Sequence, residues 1–302
     1  MSSPISLIAI VGPTGIGKTR LSVNIASVVD VEVVSVDSIQ VYRDCPIMAA
    51  QVTREEMKGV PHHLVDYLDV IDEPVDFTHD AIQCIKSIHS RGRVPMICGG
   101  STSLVEPLLF HPFVQEQNLL VLVLNSDLET VSQLCNQRIE QMMKDGLLDE
   151  VKHLYDLERQ HGRFEDHTRS GAWKSIGYPE LRDWCCAEGP EAADKLLKQG
   201  IQLMQENTVA YASLQLKFLW SRLIPALSRN QQQYSVFNVV SRETFAQEVE
   251  TPAIRRCKDW ILDREQESSL DWSRTLGFTP GLVPRKEVAE VASSQLGNFN
   301  TL

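Results

Sequence analysis

The chain has 302 residues, 43% of them hydrophobic and 23% charged, and a formal net charge of −11. That length suffices for one large or two ordinary domains with a buried core, no apolar run approaches the ~20 residues that cross a bilayer, and the acidity weighs against DNA or a large RNA as partner. The opening MSSPIS lacks the charged and apolar regions of a signal peptide, and the seven cysteines include no C-x-x-C pair, so the expectation is a reduced, cytoplasmic protein without a zinc site or membrane contact.

The first informative stretch is IVGPTGIGKTRLS, residues 10–22, which fits G-x-x-x-x-G-K-[ST] with Gly12, Gly17, Lys18 and Thr19. Glycines let successive backbone N–H groups turn inward around an anion, the lysine adds a mobile charge, and the Thr19 hydroxyl can ligate a phosphate-bound Mg2+. An apolar run precedes the loop and a helical pattern follows it over 17–29. The loop by itself leaves open whether ATP, GTP or another diphosphate is held.

Further strands are expected at 31–37, 94–100 and 118–126, with helices near 77–90 and 102–109. This alternation predicts an α/β fold, a P-loop NTPase-like parallel sheet flanked by helices. Ligands sit at the C-terminal ends of such strands, where the P-loop, DSIQVY and GGSTS fall. Asp37 ends its strand there, either as an acid associated with Mg2+ or as a general base. Residues 127–225 read as helical with a break at Gly146 and a polar loop at 159–171; a strand at 234–240 and a helix at 252–265 follow. The expected organisation is a P-loop core over 1–126, a mainly helical insertion over 127–205, helices and a strand returning to the core over 206–265, and a flexible tail over 266–302.

GPTGIGKTRLSVNIA, DSIQVY, GVPHHLVDYLD, DFTHDA and RVPMICGGSTSLVEPLL occur in one order, followed by RIEQMMKDGLLDEV, KSIGYPEL, NTVAYASLQLKFL and VETPAIRRCKDWI. Over residues 8–263 the chain resembles the isopentenyltransferase family, which prenylates the N6 amine of adenine in tRNA or in free adenine nucleotides. The resemblance implies that the P-loop residues Gly12, Thr14, Gly15, Gly17, Lys18 and Thr19 cradle dimethylallyl diphosphate with Mg2+, and that Asp37 accepts the amine proton. It places Ser38, Gln40, Gly99, Gly100 and Ser101 with the substrate. Arg138 could be a helix-surface charge or, by the family match, a phosphate-facing one; Lys174 stands where the family usually has arginine.

Other departures remove polarity. Pro46, Ala49 and Gln51 occupy positions where the family tends to have Asp, Thr and Lys; Leu104 replaces a Tyr; Ser213 and Leu214 replace a basic pair. These changes leave open an altered acceptor or other chemistry on an isoprenyl diphosphate. An adenylate-type enzyme acting on AMP, ADP or ATP is favoured over a tRNA-type one. A small-molecule kinase would explain Gly12–Thr19 but not DSIQVY, GVPHHL and GGSTS together. His62 and His63 read as a turn rather than a metal site, and Asp127 as a helix cap.

Overall fold

The computed structural model describes residues 4–162 and 170–274, without the side chains of 265–274. Six strands, β1 (Ser6–Val11), β2 (Val31–Val36), β3 (His62–His63), β4 (Val94–Gly99), β5 (Asn118–Asn125) and β6 (Gln233–Asn238), form one sheet in the order β3-β2-β4-β1-β5-β6. Every pairing is parallel. The apolar runs explain why: β1, β2, β4 and β5 are buried along nearly their whole length, as strands covered by helices on both faces must be.

The helices run in chain order as α1 (Lys18–Ile25), α2 (Arg54–Met57), α3 (Phe77–Ser90), α4 (Thr102–Leu109), α5 (Pro112–Gln115), α6 (Leu128–Asp145), α7 (Leu147–Gln160), α8 (Tyr178–Leu181), α9 (Pro190–Phe218), α10 (Ile224–Arg229) and α11 (Thr251–Arg274). The Asp127 carboxylate accepts the Thr130 N–H at 2.7 Å and so caps α6, as its position predicted. Gly146 ends α6 with a φ of 105° and starts α7. Helix α9 has 29 residues, about 43 Å of length. The expected continuous helix then passes through a π-turn at Leu219–Leu223. The next residue but one is Pro225, which has no N–H for the carbonyl one turn back. A second π-turn, Ala246–Glu250, precedes Pro252 for the same reason.

Met1–Ile261 group by contacts into one unit and Leu262–Leu302 into another; the helical stretch 127–205 belongs to the first. The tail expected from 266 begins instead as a continuation of α11 to Arg274. Residues 275–302, and 163–169 of the expected polar loop, lie outside the described residues. Among those described, no helix is long and apolar enough to cross a membrane.

The sheet register positions the site. Val36 of β2 pairs with Gly99 of β4, and Gly99 pairs with Val11 of β1. One rung of the sheet therefore delivers Asp37, Gly100 and Gly12 side by side at the carboxyl edge. Asp37 lies one residue past β2, not within the strand as expected.

Candidate active site

Between this edge and helices α6 and α9 lies a cleft of about 1040 Å³. Thr14, Gly15, Gly17, Lys18 and Thr19 form one wall; Asp37, Ser38, Gln40, Gly99 and Gly100 line the floor; Arg138 and Lys174 reach it from the helical side. Two expected residues stand back from it. Gly12 packs beneath the loop against β5, where an added Cβ would meet the Leu124 carbonyl oxygen at 2.7 Å. Ser101 is buried at the start of α4, its Oγ 3.2 Å from that of Ser103.

The P-loop takes its shape from glycine. Gly17 has a φ of 98°, and the Phe245 ring lies 2.8 Å from where a Cβ would sit, so any side chain there would be strained twice over. Among the described residues, the two cations at the loop, Lys18 and Arg138 of α6, hydrogen-bond to neutral partners. Lys18 Nζ donates to the Pro13 carbonyl at 2.7 Å, and Arg138 Nη1 donates to Thr14 Oγ1 at 3.2 Å. Burial is the largest cause pushing the pKa of both groups down, with the Asp37 carboxylate working the other way. Two half-buried positive charges without a contacting carboxylate are costly unless an anion joins them. This also decides Arg138: it faces the loop rather than the surface.

Asp37 Oδ1 accepts the N–H groups of Ile39 at 2.9 Å and Gln40 at 3.3 Å. That turn fixes the carboxylate's orientation at the floor of the cleft. Gln40 lines the cleft, but its amide is engaged by protein: Oε1 accepts from Ser35 Oγ at 2.7 Å, and Nε2 donates to the Ala49 and Ala50 carbonyls. Gln51, where the family tends to have lysine, donates to the carbonyls of Gln40 and Tyr42 at 2.9 and 2.6 Å. Glu150 of α7 completes the loop's support by accepting the Ile47 and Met48 N–H groups, each at 2.7 Å. Lys174 sits at the rim with its ammonium on both Glu73 oxygens, at 2.6 and 2.8 Å.

Sequence reading missed one face of α9. Met204, Thr208, Tyr211 and Gln215 follow at intervals of four, three and four and all line the cleft. Gln215 is 3% exposed. Its Oε1 accepts the Thr14 N–H at 2.8 Å and its Nε2 donates to the Gly100 carbonyl at 2.7 Å. One side chain thus bridges the P-loop and the GGSTS turn. The helical spacing in NTVAYASLQLKFL was the available signal; the notable losses at Ser213 and Leu214 sit on the helix's other faces, with Leu214 61% exposed.

The family model for IPP transferase matches residues 40–116 and 106–222. The chain belongs to the IPP transferase family. This IPP transferase homologue is 35% identical over 255 residues to the bifunctional cytokinin biosynthesis protein of Fusarium pseudograminearum, a match covering 84% of this chain and 52% of that protein. It is 34% identical over 222 residues to the chloroplastic adenylate isopentenyltransferase 5 of Arabidopsis thaliana, covering 70% of this chain and 65% of that one. The chain thus spans about half the length of the first relative and under two thirds of the second. Among solved structures, the tRNA isopentenylpyrophosphate transferase of Bacillus halodurans has a TM-score of 0.67 and 26% identity, with 88% of this chain and 99% of that one covered. The P-loop NTPase-like sheet of this IPP transferase homologue is therefore shared with the solved tRNA-type structure.

Proposed function

We propose that this protein transfers the dimethylallyl group of dimethylallyl diphosphate to the N6 amine of a free adenine nucleotide (AMP, ADP or ATP), releasing diphosphate. The observation that carries the reading is the sheet edge itself, where Asp37 stands beside a P-loop at which the cations Lys18 and Arg138, among the described residues, hydrogen-bond to neutral oxygens. Charge develops on the departing diphosphate as the allylic C–O bond breaks. Lys18, Arg138 and the loop N–H groups are placed to stabilise it. The amine nitrogen forms the new C–N bond and its proton passes to Asp37. Thr19 offers a hydroxyl oxygen at the loop, which suits a hard cation that completes its shell with phosphate oxygens. No group of three His, Cys, Asp or Glu forms a metal cage among the described residues, so the ion would arrive with the diphosphate. Mg2+ bound through Thr19 would supply further neutralisation of the leaving group.

Calorimetry with a non-hydrolysable allylic thiodiphosphate and with ATP tests the donor. Tighter binding of the allylic analogue at the loop is expected; tight ATP binding with none of the analogue overturns the reading in favour of a kinase.

The tRNA-type relative among solved structures supports a second acceptor. Charge weighs against it: residues 127–225, which would have to grip the tRNA, hold 16 acids and 12 bases. Polyanion binding needs several neutralised phosphates and weakens with salt, whereas a nucleotide needs one or two local cations. At about 0.15 M salt, AMP, ADP or ATP is expected to be prenylated faster than an anticodon stem-loop. The reverse order would establish the tRNA-type activity.

A further inference from the structure

Thr208, Tyr211 and Gln215 occupy the α9 face that lines the cleft, and no step above uses the Tyr211 hydroxyl. The ring is half-buried, and the Ser101 and Gln215 side chains are among the polar groups that act on its oxygen. Gln215 Oε1 already holds the Thr14 N–H, and Nε2 holds the Gly100 carbonyl through one of its two hydrogens. That leaves one amide hydrogen of Gln215 uncommitted, and the phenol keeps its own proton to give. Asp37 is close enough for its charge to act on the phenol. Burial first, and that carboxylate second, push Tyr211 up to about 12, so the hydroxyl stays protonated at any working pH.

The cleft thus presents an acceptor and a donor: the Asp37 carboxylate on its floor and the Tyr211 O–H on the α9 face. Adenine offers the complementary pair, an exocyclic amine that gives a proton and, on either side of it, a ring nitrogen that receives one. We infer that Tyr211 is a specificity-determining residue, its hydroxyl donating to a ring nitrogen flanking the amine so that an N6–H is presented to Asp37 and the nitrogen lone pair to the allylic carbon. Ser101 and Gln215 act on the phenol oxygen, so the buried Ser101 takes part without contact to substrate. The inference rests on adenine being the acceptor and deepens that reading.

The test uses AMP and its 1-deaza and 7-deaza analogues, each lacking one of the two ring nitrogens, with dimethylallyl diphosphate at saturation. The wild-type protein is expected to lose about tenfold in kcat/KM with one analogue and little with the other. Tyr211→Phe should process AMP about tenfold less well and treat AMP and the sensitive analogue alike, with thiodiphosphate affinity unchanged within twofold. Equal rates for all three acceptors on the wild-type protein would overturn the inference without any substitution. Retention of the discrimination by Tyr211→Phe would overturn it as well. If the wild-type protein prenylates no adenine compound, the parent reading fails, a result distinct from both.

Discussion

Asp37→Asn is expected to reduce turnover by about 10²–10⁴-fold, the usual contribution of a positioned general base, while leaving thiodiphosphate affinity within a few-fold. The reasoning is geometric. Ile39 and Gln40 N–H groups hold Oδ1, and an asparagine carbonyl oxygen can accept the same two bonds, so the turn survives the change. What disappears is the capacity to take a proton as the amine attacks. An aromatic amine is a weak nucleophile whose acidity rises only as the new bond forms, so the loss falls on the transition state rather than on the bound substrates. Single-turnover kinetics with AMP, alongside calorimetry of the thiodiphosphate, separates the two. Loss of Mg2+-dependent affinity with the rate of the bound complex preserved would assign the carboxylate to the metal, the alternative that the sequence left open. Full activity would remove Asp37 from the mechanism.

Gln215→Leu should have the largest effect on the architecture of the site. Leucine approximates the volume but supplies no polar atom, so the Thr14 N–H and the Gly100 carbonyl both lose their partner in a partly buried place. Each unpaired group costs about 1–3 kcal/mol, so urea denaturation should show a loss of about 2–6 kcal/mol with an unchanged slope. The loop is also released from the GGSTS turn. An added Cβ on Gly100 would lie 2.4 Å from the Gly12 carbonyl oxygen and 3.2 Å from Lys18 Nζ, which shows how closely the two backbones approach. Thiodiphosphate affinity should fall about tenfold or more with them. Gln215→Glu keeps the acceptor for Thr14 but not the donor for Gly100, so it should recover part of the stability. A stability within about 0.5 kcal/mol of wild type and an unchanged affinity would show that the bridge is dispensable.

The sheet was legible because parallel strands leave a strong mark. Continuous apolar runs such as NLLVLVLNS have no other use at that length, and α3 and α4 fall at the expected 77–90 and 102–109. The P-loop and Asp37 were readable because their chemistry is local to a few residues. The α9 face was not, since its function depends on which rotation of a long helix meets the cleft. Leu214 and Ser213 drew notice as departures from a pattern, whereas Gln215, one residue on, carries the bridge. Nor could spacing reveal that the amides of Gln40 and Gln51 turn onto their own loop, for an uncharged side chain announces no partner.

That turning-in bears on how the protein could diverge. The segment carrying Pro46, Ala49 and Gln51 is not a rung of the sheet; it hangs from Gln40, Gln51 and Glu150. Its polar side-chain fixings are amides and one carboxylate directed at main-chain atoms, while its own Cys45, Met48 and Ala49 are buried in the core. Main-chain atoms are indifferent to which side chain the residue bears. The loop can therefore exchange its exposed chemistry with little disturbance to the rung that aligns Asp37, Gly100 and Gly12. Reactive edge and recognition loop are separable modules. Selection acting on one could rewrite what the cleft admits while leaving the other intact.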